Sequence, residues 1–353
     1  MTSSTFGRHA VQLHHQLLDQ GLALHDMRSA VSLEDRLGSD LATEEPGGES
    51  HQEPEFTWLE PSQPFSIPVA ASATPTPIRY FLDGTQRTLP AYYQSAIPIM
   101  ASVTASAILE RRSPMDLGVV PGMLHLNRTW LVPLQTSIPE ISGFITSVRD
   151  DMVDIVDPLE QYDLAGYQAR LRDFGGMEKA ALASSRRLRR RGEETLLRRW
   201  VGKPPEDAWI VVDGALREPT PRTVGVVKSF NRQYLIGNEA DALFRLPASH
   251  RSPAFLVDDR RHGGSYIIWY LRFWNASGLD PRYSLVRIEI ADSDSNRRLI
   301  DPLSGWILAE RRPRPTADSR WPTLLYPIHF LEKILKSYLS REIREWPGIR
   351  GTA

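Results

Sequence analysis

The stretch PIRYFLDGTQR, residues 77–87, is a short β-prone run that closes on an acidic residue and a glycine, and AWIVVDGAL, residues 208–216, repeats the pattern. An aspartate at the tip of a buried strand is held rigidly at the sheet edge, while the glycine after it lets the chain turn away and a phosphate approach. If the two strands are neighbours, Asp83 and Asp213 come within reach of one divalent cation. Hard cations such as Mg²⁺ and Mn²⁺ take such oxygen-rich sites, and phosphodiester hydrolysis uses them to polarise the phosphoryl oxygen. Asp-Gly at a strand end is also the commonest kind of turn, so each motif alone reads as a turn and only the pair carries information.

Further strands are expected on both sides of these runs. AYYQSAIPIMASVTASAILERR (91–112) continues the first with small and β-branched residues. TVGVVKSF (223–230), SYIIWYLRFWN (265–275) and SLVRIEIA (284–291) follow the second, and the last of them alternates. Between Gly118 and Val156 strands and loops do not separate by period. A helical stretch runs from about Pro158 to Trp200, with a break expected at Gly175-Gly176. WPTLLYPIHFLEKILKSYLSREI (321–343) ends the pattern as an apolar helix preceded by a Tyr-Pro turn. The order predicts an α/β domain around a mixed sheet flanked by helices, with a helical insertion.

The amino-terminal part differs in character. Val11, Leu13, Leu17, Leu18, Leu22, Leu24 and Met27 are spaced as on an amphipathic helix over residues 8–30, docked either on its own domain or on a partner. Gly38 to Pro64 is acidic and rich in Gly, Pro, Ser and Glu, as a solvated linker would be. The expected division is therefore 1–64, helix plus flexible linker, and 65–353, the folded body. Residues 1–60 hold 3 basic and 11 acidic side chains, so the net charge of −1 divides into −8 there and +7 in the remainder. A mildly basic body is compatible with nucleic acid. The absence of cysteine excludes disulfide scaffolds, cysteine nucleophiles and thiolate zinc sites. The stretch MTSSTFGRHAVQLHHQ shows no basic segment followed by an apolar core, and no run of about 18 apolar residues occurs, so a cytoplasmic location is expected.

A third carboxylate is offered by RRRGEETLLRRW, residues 189–200, upstream of Asp213. Glu194 is the first choice and Glu193 the alternative, and an exposed glutamate on a salt-bridged helix face is the plain reading of either. Seven arginines lie between Arg186 and Arg199. Arg187, Arg190, Arg191 and Arg198 would contact phosphates beside such a carboxylate, or else form a solvated face. Tyr266, Trp269, Tyr270, Phe273 and Trp274 either stack on bases or, as their apolar strand suggests, pack in the core.

Taken in order, DGT at Asp83, the Glu-bearing helix, VVDGAL at Asp213, GVVKS with Lys228, HRSPAF with Arg251 and a final YP at Tyr326 resemble the NurA nucleases, from about Ile78 to Leu339. The resemblance implies a ribonuclease-H-like mixed sheet and a homodimeric nuclease using Mn²⁺ (or Mg²⁺). It further implies action on single-stranded DNA and 5′ duplex ends, in end resection, repair or defence, beside a HerA-type hexameric ATPase. Carried over, Asp83, Glu194 and Asp213 become catalytic metal ligands, Lys228 stabilises phosphate charge and Tyr326 lines the site; Arg251, in the HRSP loop, is either a phosphate or dimer contact or equally a surface arginine. One departure stands out: where the family often has a histidine eight residues after that tyrosine, this chain has Ile334, and the nearby histidine is His329. Either His329 fills the role in a shifted register, or the chain works without it, or the site is partly degenerate; a histidine at an apolar helix start is also simply a packing or capping residue. Two rivals are set against the nuclease reading. A sugar-kinase-like phosphate turn at FLDGTQR lacks further glycine loops beyond Gly263-Gly264-Ser265, and a catalytically silent nuclease-fold subunit would serve as a docking platform for the ATPase.

Overall fold

The computed structural model describes residues 5–20, 25–26 and 56–344, the last span without 74–75, 95–96, 114–115, 149–152, 206, 229–232, 260–263, 277–278 and 313–320. Its centre is an antiparallel meander of three long strands, β4 (Ile78–Gln94), β5 (Ile97–Ser113) and β6 (Asp116–Leu131). Beyond β6 the short β7 (Asp154–Val156) pairs in parallel with Thr129–Leu131. On the other flank β8 (Trp209–Asp213) is parallel to β4, and β9 (Thr223–Val227) is parallel to β8. The sheet continues antiparallel through β13 (Leu285–Ala291), β12 (Gly264–Arg272), β11 (Phe255–Asp259) and β2 (Phe56–Trp58). Three two-residue strands, β1 (His25–Asp26), β3 (Ile67–Pro68) and β10 (His250–Arg251), pair along its borders.

The expected α/β organisation around a mixed sheet is thus observed, and the helices cover both faces. They are α1 (Phe6–Asp19), α2 (Pro139–Ser147), α3 (Leu164–Leu171), α4 (Phe174–Gly202), α5 (Gly237–Phe244), α6 (Asp294–Arg297), α7 (Ile300–Glu310) and α8 (Tyr326–Ile343). Alternation along the strands divides the core between the faces. Tyr80, Leu82, Ile108 and Ile210 meet Leu196 and Trp200 of α4. Phe81, Ala107, Leu109, Val211 and Val226 belong instead with Leu303 and Ile307 of α7 and Leu331 and Leu335 of α8. β5 is buried on both faces, and its Ala-Ser-Val-Thr-Ala-Ser-Ala run (101–107) keeps both surfaces low enough for a helix to lie close on each.

Three expectations change in this part of the chain. β4 does not end at Asp83-Gly84; it runs on for ten more residues because β5 offers an unbroken antiparallel partner, Asp83 facing Ala107 and Gly84 facing Ser106. Only β8 turns at its Asp-Gly, with Gly214 at φ +119°, a left-handed conformation that favours glycine. The helical stretch breaks at Arg172-Asp173, where Asp173 precedes the first turn of α4, and the glycine pair lies inside that helix. Tyr326 and Pro327 are the first residues of α8 rather than a turn before it, proline being well suited there because its missing N–H has no intrahelical partner.

The amino-terminal helix is shorter than expected and docks on its own body. Phe6, Ala10, Leu13 and Leu17 are buried, and the Phe6 ring meets Trp130 edge-on at 5.1 Å. Tyr92 donates its hydroxyl hydrogen to Ala10 O, and Phe6 N–H donates to Glu342 Oε2 at 2.8 Å. Leu22, Leu24 and Met27, and the linker up to residue 55, lie outside the described residues. The folded body begins before Phe65, since β2 is a sheet strand and Glu60 is tied to Arg251. Burying each large apolar side chain contributes about 1.5–3 kcal/mol. Deleting residues 1–20 is therefore expected to lower the melting temperature by about 10 °C or more, and an unchanged calorimetric transition would contradict this packing.

Candidate active site

The parallel pairing of β4 with β8 sets Leu82 opposite Val212, so the next residues, Asp83 and Asp213, stand side by side on adjacent strands. Both follow on the face that carries Phe81 and Val211. Asp83 is only 7% exposed and accepts a hydrogen bond from Gly84 N–H at 2.7 Å. β9 sets Val226 opposite Asp213, and two residues further Lys228 reaches back to donate from Nζ to Asp213 Oδ2 at 2.8 Å.

Glu193 comes from α4, across Gly84. A Cβ on Gly84 would lie 2.3 Å from Glu193 Oε1 and 2.8 Å from Ser106 Oγ. On the helix side, a Cβ on Gly192 would lie 2.8 Å from the His125 ring and 3.1 Å from the same Ser106 Oγ. Helix and strand therefore touch at two glycines, and the glycine after Asp83 supplies close approach where the sequence suggested a turn. Arg189, one turn before Glu193, donates from Nη1 to Glu193 Oε1 at 2.6 Å and to Gly84 O at 3.4 Å.

The electrostatics follow from this crowding. Burial pushes the Asp83 carboxyl well above the usual carboxylate range, and Asp213 and Glu193 push it further, against the pull of Lys228 and Arg189. Burial also raises Glu193, with Arg189 opposing and Asp213 reinforcing the shift. Burial alone would disfavour the Arg189 charge, but Glu193, Asp83 and Asp213 outweigh it and hold the guanidinium protonated. Three carboxylates thus share their surroundings with Lys228 and Arg189, and Arg190 and Arg217 act on Glu193 as well. Among the described residues no three carboxylate or imidazole groups converge as metal ligands; Asp213 is engaged by Lys228 and Glu193 by Arg189. The donor set itself, hard carboxylate oxygens, suits a magnesium- or manganese-sized ion.

The structure places the other sequence-selected residues as follows. Glu194, the first choice for the third carboxylate, is turned away by the helical step of about 100° per residue; it is one-third exposed and faces Arg217 at 3.6 Å. Its neighbour Glu193 is the one that reaches β4, over Gly84, and its charge acts on Asp83 from there. Tyr326 is 46% exposed at the start of α8, while the groups acting on Asp83 are Asp213, Lys228, Glu193 and Arg189. His329 is buried one turn into α8, with Nδ1 4.0 Å from Glu332 Oε2, and Ile334 is packed against the core. Arg251 is no surface residue: it is 2% exposed and its guanidinium is held by Glu60 and Asp301. On α4, Arg191 and Arg198 are exposed, Arg198 pairing with Glu218 at 2.6 Å, and Arg187 and Arg190 are half-buried. Tyr266, Trp269, Tyr270 and Phe273 are core residues, and Trp274 lies half-buried under Arg311 at 4.3 Å.

Two contributors had no place in the sequence reading. The i,i+4 spacing of Arg189 and Glu193 was visible and is the ordinary signal of a helical ion pair. His125, opposite Ser106 on β6, had no visible signal; burial and Arg199 push its pKa down while Asp154 raises it. No family model matches the chain, and no curated protein matches it.

Proposed function

We propose that this chain is a metal-dependent deoxyribonuclease with a ribonuclease-H-like domain. The observation that carries the reading is the adjacent placement of Asp83 and Asp213 on two central parallel strands, with Glu193 of the crossing helix over Gly84 and its charge felt at Asp83. An antiparallel meander joined through that helix to two parallel strands is the frame such a domain requires, and it supports the reading. Membership in the NurA family rests on the ordered residues from Asp83 to Tyr326. Homodimer formation, action on single-stranded DNA and 5′ duplex ends, and partnership with a HerA-type ATPase belong to the same proposal.

Asp83 and Asp213, with Glu193 in place of Glu194, would hold Mn²⁺ or Mg²⁺. A bound divalent cation supplies Lewis-acid polarisation of the phosphoryl oxygen and a water of lowered pKa. The protein's own residues do the rest. Burial of Asp83 keeps water out and strengthens the charge interactions around the phosphate. Lys228 offers an ammonium to the phosphate, and Arg190 and Arg191 flank the helix from which Glu193 projects, where a nucleic-acid strand would pass. The silent docking subunit remains the second reading, because each acid other than Asp83 already has an internal cation.

The test is cleavage of end-labelled single- and double-stranded DNA with Mn²⁺, Mg²⁺ or EDTA, comparing wild type with Asp213→Ala, alone and with a HerA-type ATPase. Cleavage that requires both metal and Asp213 is the expected result. Its absence with the ATPase present would favour the docking subunit.

A further inference from the structure

Resting on that reading, we infer that Lys228 is an internal counter-ion that occupies the metal site until a cation replaces it, so that metal entry is an exchange which frees the Lys228 ammonium for the substrate phosphate. Lys228 Nζ lies 2.8 Å from Asp213 Oδ2, and both side chains are largely withdrawn from solvent, at 11% and 23% exposure. Without an internal cation, the Asp213 carboxyl would stand beside the buried Asp83, with Glu193 acting on both. Like charges in a poorly solvated site repel strongly, so the lysine stabilises the acids in the absence of metal.

Arg189 does the same for Glu193, with a difference in geometry. Its guanidinium is also hydrogen-bonded to Gly84 O and so is fixed to the strand. Lys228 directly follows β9, and its point-charge ammonium sits on a flexible stem. Of the two cations, Lys228 is the one suited to exchange, and Arg189 is a positioning residue that keeps Glu193 over Gly84. Lys228 would give up Asp213 as Asp83 and Asp213 took a divalent cation, and a substrate phosphodiester would become the ammonium's next partner. No bond is made or broken in the step; one positive charge leaves a carboxylate as two arrive.

Mn²⁺ binding measured by calorimetry and by the loss of free-ion electron paramagnetic resonance signal, on wild type, Lys228→Met and Asp213→Asn, tests this without reference to cleavage. Lys228→Met is expected to bind Mn²⁺ about tenfold more tightly than wild type. Its melting temperature is expected to lie below wild type in EDTA and to rise more on Mn²⁺ addition. Asp213→Asn is expected to lose binding. Equal affinity of wild type and Lys228→Met, with binding still lost in Asp213→Asn, overturns the exchange and leaves the metal reading standing. No Mn²⁺ binding by any of the three proteins overturns both.

Discussion

Replacing Asp83 by asparagine is expected to abolish metal-dependent cleavage and, in the same protein, to raise the melting temperature in metal-free buffer. The loss of activity should be at least about 100-fold, because asparagine cannot supply the negative ligand that a hard cation requires. The gain in stability has a separate origin. Asp83 is buried, so folding favours its neutral form, and its carboxyl titrates well above the ordinary value of 3.8. A carboxyl whose pKa is raised by folding stabilises the native state fully below its unfolded pKa, and that contribution is lost as pH rises through the folded value. Wild-type stability should accordingly decline across the window that begins near pH 3.8 and extends upward through the raised pKa. Asparagine keeps the acceptor for Gly84 N–H and carries no charge, so the variant lacks this slope. The stability difference in favour of Asp83→Asn should widen with pH and then level off. Denaturation curves at a series of pH values would read it directly, and parallel curves for the two proteins would refute the account.

The second large effect concerns Arg251, which the sequence offered as a DNA or dimer contact. Its Nη1 and Nη2 donate to the two oxygens of Glu60 at 2.6 and 2.8 Å, and its Nε donates to Asp301 Oδ1 at 2.7 Å. Glu60 Oε2 in turn accepts from Ala254 N–H at 2.7 Å. One guanidinium thus joins the segment after β2, the strand β10 and the first turn of α7. Removing Arg251 leaves Glu60, one-quarter exposed, without its partner while Asp301, 71% exposed, is re-solvated, so the cost lies at or somewhat below the ~3–5 kcal/mol of a fully buried pair. Arg251→Ala is expected to lose that much in chemical denaturation, and Arg251→Lys to recover little of it, since an ammonium cannot reproduce the forked contact. DNA affinity per folded molecule should not change. A well-folded Arg251→Ala protein with weakened DNA binding would restore the surface role.

The mixed sheet and the two acidic strands were legible because buried strands write themselves as apolar runs. Asp213 sits at its strand end as the run suggested. Asp83 was legible as a residue but not in its setting, because Asp-Gly carries a local preference for turning and the partner that overrides it, β5, is specified by other residues. Choosing between Glu193 and Glu194 required the rotation of α4 on the sheet, which is set by Gly84 and Gly192 together, and neither glycine announces the other. The location of Arg251 was hidden for a similar reason. Its partners are 191 and 50 residues away in the chain, and an arginine in a loop-like HRSP stretch reads locally as surface.

The hydrogen bond from Phe6 to Glu342 links residues separated by 336 positions, and Glu342 is also clasped by Arg128 of the meander at 2.9 and 3.1 Å. During synthesis the first helix emerges long before α8 and has only part of its docking surface until that last helix arrives. Contacts of such sequence separation form late and slow the approach to the native state. A ribosome-bound chain should therefore keep Phe6, Leu13 and Leu17 accessible to chaperones until α8 has emerged.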